Sequence, residues 1–185
     1  MPDLDMSRPI FEDPPDDMEE QYGVLLVNWA GASGRETVEM ARAYRTAADR
    51  LLHLAGEAGE SWEAIDPILF CYRHAVELYL KALFPGSTKN HGLGKLGAAL
   101  MAQLEGRYRA DQVNWLCDRI SEIQAHDPRS TAFRYADSCH AGADPEIWVD
   151  FHHLRAVTHA IFDAFERVHS DGNVARYPSN RGVAP

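Results

Sequence analysis

Arg73, Glu77 and Lys81 recur every four residues within residues 68–84, a run that is otherwise apolar on almost every side. That spacing stacks the three on one helix face, where ionised groups amid apolar surface are costly unless paired. Two readings follow: an ion-pair ladder that fixes helix register, or the wall of a cationic pocket in which Arg73 and Lys81 outnumber Glu77 and could meet a phosphate. His91, a few residues beyond, falls near the far end of the ladder. A second constellation is Arg134 and His140, separated by five residues ahead of the last helix. A histidine near neutral pH can take the proton of an RNA 2′-hydroxyl, and an arginine steadies the phosphate as charge accumulates. Such chemistry needs no metal and no cofactor. Arg119 and His126, with six residues between them, satisfy a similar spacing.

Carboxylate and imidazole also stand three residues apart in Asp150/His153 and Glu166/His169. A di-iron bundle draws such pairs from two helices and adds two further carboxylates, whereas here one helix supplies both, about four turns apart. No metal site is expected from them. Cys71, Cys117 and Cys139 are an odd set without a CxxC pair, so neither a disulfide framework nor a structural zinc is indicated. Cys71 and Cys117 read as buried thiols, and Cys139 as the exposed one beside His140.

The elements that must position these groups are helical throughout. Apolar positions from Thr37 repeat at three to four residues through Val38, Ala41, Ala48 and Leu52, and Gly56 and Gly59 are the expected stops. The central helix has two candidate starts, Ser61 and Asp66-Pro67; the second is favoured, because Asp at the N-cap with Pro at the first position suits a helix entry. It is expected to end at Phe84, before Pro85-Gly86. Leu93, Leu96, Leu100 and Leu104 predict a third helix, and Asp111 caps a fourth with Val113, Leu116, Ile120 and Ile123 inward. A loop over roughly 126–143 leads to Asp144-Pro145-Glu146, read as the opening of a last helix to about His169. The expected fold is an all-α, up-and-down bundle of four to five helices. It spans residues 22–169, between a flexible acidic, Pro-rich tail at 1–21 and a flexible tail at 170–185. Tyr22 to Trp29 is read as a segment packing on the bundle.

The chain has 185 residues and a formal net charge of −10. Eight acids against the single Arg8 in residues 1–20 carry most of that excess, leaving the remainder near −3. This balance argues against broad phosphate neutralisation of duplex nucleic acid, but permits a local basic pocket. The N-terminal sequence does not read as a signal or a membrane span, so a cytoplasmic protein is expected.

The run 72–83, YRHAVELYLKAL, followed by His91-Gly92-Leu93-Gly94-Lys95-Leu96, resembles the central helical hairpin of HEPN domains (higher eukaryotes and prokaryotes nucleotide-binding). The close match covers about 25 residues, and the helix order fits roughly from 35 to 169. The resemblance implies a four-to-five-helix bundle, commonly a homodimer, and in many members a metal-independent ribonuclease of toxin–antitoxin or antiviral systems. Those members carry an Arg and a His four to six residues apart near the start of the last helix, the place and spacing of Arg134 and His140. Their usual small polar residue after the Arg is here Tyr135. The resemblance therefore carries two expectations. One is a ribonuclease acting through Arg134 and His140, with RNA as substrate and an antitoxin protein as possible partner. The other is a non-catalytic module that binds a nucleotide or a protein through Arg73, Glu77, Lys81 and His91.

Overall fold

The computed structural model describes Asp16 and residues 37–59, 61–84, 92–135 and 147–176, with no strand among them. Apart from Asp16 they belong to one compact unit, Arg35–Pro185. Six helices follow in order: α1 (Thr37–Ala58), α2 (Ser61–Leu83), α3 (Leu93–Leu104), α4 (Ala110–His126), α5 (Ala132–Tyr135) and α6 (Phe151–Arg176). The expected tail at 1–21 and the segment Tyr22 to Trp29 lie outside the described residues, Asp16 excepted.

The all-helical expectation is met, and the apolar periodicities account for the core. Val38, Ala41, Ala48, Leu52 and Ala55 bury one face of α1. Ile68, Tyr72, Ala75, Val76, Tyr79 and Leu80 bury most of α2, which packs against α1, α3, α5 and α6. Ile161, Phe162, Phe165 and Val168 close the core from α6, where Tyr79 stacks on Phe165 with ring centroids 5.4 Å apart and meets Phe162 at a tilt at 5.6 Å. α1 stops at Gly59, whose φ of +71° an L side chain rarely adopts. Gly56 does not stop it and lies inside the helix.

Four element boundaries differ from the sequence reading, each for a local reason. α2 starts at Ser61, not Asp66, and carries Pro67 in its second turn. A proline there forfeits one hydrogen bond, to the carbonyl of Glu63, while the earlier start lets Ala64 pack on the core. α4 starts at Ala110, so Asp111 lies in the first turn, paired with Arg109 at 2.7 Å and facing the positive end of the helix dipole. The loop expected from 126 to 143 contains the short α5. The last helix starts at Phe151 and runs to Arg176, past His169; Asp150 is its cap, with Oδ1 accepting from the His153 N–H at 2.8 Å. Asp144-Pro145-Glu146 lies outside the described residues.

Candidate functional site

Arg73 and Glu77 are buried, each 1% exposed. The i, i+4 spacing does what helix geometry demands. Arg73 Nη1 reaches Glu77 Oε2 at 3.1 Å, and Lys81 Nζ reaches Glu77 Oε1 at 2.7 Å. A fourth charge completes the group: Asp127, also 1% exposed, places Oδ2 3.0 Å from Arg73 Nε. Among the described residues two cations thus face two carboxylates, and the charges of this set balance. Neutrality with near-complete hydrogen bonding is what makes such burial tolerable.

The same bonds fix the turn after α4. Asp127 Oδ1 accepts the N–H groups of Thr131 and Ala132 at 2.8 and 3.1 Å, capping α5. Arg73 also donates to Asp127 O at 3.2 Å and to Ser130 Oγ at 2.8 Å. Ser130 has a φ of +60°, which its small polar side chain tolerates better than a branched one would. Asp127 carried no signal in the sequence beyond being an acid after a helix; its partner Arg73 is 54 residues away.

Arg134 stands on α5 with its side chain at the surface. Its Nε donates to Ser130 O at 2.7 Å, Nη2 donates to the same oxygen, and the guanidinium lies over the rings of Phe70 and Tyr135, 5.6 and 5.3 Å from their centroids. Phe70 in turn stacks on His74 at 5.7 Å, and His74 meets Tyr44 edge-on at 4.5 Å. Burial pushes the His74 imidazole below the usual histidine range, so it is held neutral in this column. Of the residues read as a site, Arg73, Glu77 and Lys81 stand together on α2, and Arg134 meets their cluster through Ser130. His91 and His140 lie outside the described residues, as does Cys139.

The carboxylate–imidazole pairs have other work. Asp150 caps α6, and the His153 N–H holds its carboxyl below the usual range. Glu166 receives Arg42 through two bonds of 2.7 Å and the Tyr79 hydroxyl at 2.5 Å. Arg42 is the larger cause that brings the Glu166 carboxyl down to about 2. Among the described residues no group of three or more His, Cys, Asp or Glu is placed to hold a metal ion. Burial raises the thiols of Cys71 and Cys117, which keeps both protonated.

Beside the ladder a cleft of about 340 Å³ opens between α2, α4, α5 and α6, with apolar walls from Ile65, Leu69, Ile123, Phe133 and Leu154. Trp148, 89% exposed, and Ile147, 47% exposed, stand at its mouth. A second hollow of about 380 Å³ adjoins it and shares Ile65, Ile147, Trp148, Val149 and Asp150. On the rim, Arg119 pairs with Glu122 at 2.7 Å, while its buried Nε–H finds no acceptor among the described residues, a state that costs about 1–3 kcal/mol. No sequence signal marked this cleft, because its walls come from four separate elements. Another hollow, about 580 Å³, lies between α4 and α6 beside Trp115 and Val168, away from the ladder.

No protein-family model, no curated protein and no solved structure matches this chain. The likeness to HEPN domains rests on the residues quoted for it above. Within the described residues, no helix is long and apolar enough to cross a membrane.

Proposed function

We propose that this chain is a non-catalytic, HEPN-like helical module of the cytoplasm that binds a nucleotide or protein partner, a protein being the form its geometry favours. One observation carries the reading. Each described cation that the resemblance would turn towards a phosphate is already engaged by the protein: Arg73 by Glu77, Asp127 and Ser130, Lys81 by Glu77, and Arg134 by Ser130 O. A phosphate at the ladder would have to displace a carboxylate from a buried, neutral cluster, at the expense of leaving that carboxylate unpaired. The apolar cleft beside the ladder requires no such exchange.

A second reading retains one favourable observation. Arg134 keeps its side chain at the surface on the segment that leads to His140. On that reading the chain is a metal-independent ribonuclease of a toxin–antitoxin or antiviral system, acting as a homodimer with Arg134 and His140 as its catalytic pair. Incubating the full chain, Arg134→Ala and His140→Ala with total RNA and a chelator separates the two. The binding reading expects no cleavage by any of the three. Cleavage by the parent chain that either substitution abolishes establishes the ribonuclease instead.

A further inference from the structure

The two hollows that meet at Trp148 form one groove, and its character is apolar with acidic edges. Soluble proteins rarely hold a tryptophan 89% exposed beside an apolar cleft unless something covers it. Of the charges on the groove, Arg73 is neutralised by Glu77 and Asp127, and Arg119 is paired with Glu122. Asp66 on α2 and Asp150 at the start of α6 are exposed and, among the described residues, neither pairs with Arg or Lys, while Asp150 keeps its bond to the His153 N–H. His126 and His153 complete the rim. The groove's long walls are the helices α2, α4 and α6, with the irregular residues 147–150 at the mouth. A groove walled by helices takes an amphipathic helix laid along it, with anchors spaced at i, i+3, i+4 and i+7.

Resting on the binding reading above, we propose that the groove is the docking site for an amphipathic helix of a partner protein. Its apolar anchors fill the hollows on either side of Trp148, and Lys or Arg residues beside those anchors meet Asp66 and Asp150. The complementarity is specific in sign: an acidic helix would bring its carboxylates against both aspartates, and an RNA strand its phosphates.

The probe is a fluorescently labelled Leu/Lys peptide with Leu at the i, i+3, i+4 and i+7 positions, read by anisotropy against the full chain. A Leu/Glu peptide of the same pattern is the control. The Leu/Lys peptide is expected to bind roughly ten-fold or more tighter than the control. Trp148→Ala, which removes an exposed ring and leaves the core untouched, is expected to weaken binding roughly ten-fold. Asp66→Asn with Asp150→Asn, where Asn keeps the cap of α6, is expected to weaken it several-fold at low salt and hardly at all at high salt. Failure of the Leu/Lys peptide to bind, equal binding of both peptides, or an affinity indifferent to Trp148→Ala would each overturn the proposal. The RNA assay fails separately: cleavage dependent on Arg134 removes the binding reading, whereas no cleavage and no peptide binding removes only this groove.

Discussion

Replacing Asp127 by Ala tests the central physical claim, that the buried charges hold the module together only as a neutral set. In the native chain Arg73 and Lys81 face Glu77 and Asp127, with Arg73, Glu77 and Asp127 each 1% exposed. Asp127→Ala leaves the Arg73 guanidinium and Lys81 sharing the single carboxylate of Glu77, so one positive charge of the set is uncompensated. Removing one partner of a buried pair costs about 3–5 kcal/mol. The Thr131 and Ala132 N–H groups also lose their acceptor, but the contributions overlap, so a total near 4 kcal/mol is expected. Against a typical domain stability of about 5–15 kcal/mol, that is a large fraction. It corresponds to a drop in Tm of roughly 8–16 °C for a domain of this size. Asp127→Asn keeps an acceptor for α5 but turns an amide or a neutral oxygen towards Arg73, and about half the loss is expected. Combining Asp127→Ala with Arg73→Met removes both charges of the pair, so the double variant should be more stable than the two separate losses predict, by about 1–3 kcal/mol. Urea unfolding followed by circular dichroism at neutral pH measures the native chain, the three single variants Asp127→Ala, Asp127→Asn and Arg73→Met, and the double variant. A loss under about 1 kcal/mol for Asp127→Ala, or strict additivity in the double variant, would refute the reasoning.

Two further predictions concern pH and packing. His74 is held below its ordinary range in the fold, so the unfolded chain binds its proton more readily, and stability should fall as pH drops below about 6.5. A second loss follows from about pH 4.5 down to about 2 as Glu166 protonates; allowing for the partly exposed Arg42 and Glu166 side chains, it amounts to roughly 1–2 kcal/mol. Urea midpoints of the parent and His74→Phe across this range should diverge only below about pH 6.5, and parallel curves would argue against the assignment. Gly97 lies where α3 meets α4, and a Cβ there would stand 3.2 Å from Ile120 Cγ2, whereas Gly56 has nothing within 4 Å. Gly97→Leu is therefore expected to lose about 2 kcal/mol or more through overpacking, and Gly56→Ala to gain about 0.5–1 kcal/mol, by thermal unfolding.

Much of the fold was legible in the sequence because helical burial is a local pattern. Leu93, Leu96, Leu100 and Leu104 mark α3 by spacing alone, and all four are buried. Boundaries were less legible where two local signals competed. Asp66-Pro67 looks like a helix entry, yet α2 begins at Ser61, packs Ala64 on the core and carries Pro67 within it. Asp144-Pro145-Glu146 reads as the opening of the last helix, yet that helix begins after Asp150, which caps it. The candidate site was half legible. The stacking of Arg73, Glu77 and Lys81 follows from one helix, but the choice between a phosphate wall and a closed ladder depended on Asp127.

An all-helical chain, the central place of α2 and the stacking of its three charged residues each follow from periodicity within one segment, and so can be read without the fold. Only the tertiary structure decided that those charges are neutralised from the turn after α4, that Arg134 lies over Phe70, and that Trp148 stands exposed over an acidic-edged groove. Each depends on segments far apart in the chain meeting in space, and spacing along the sequence holds no record of such meetings.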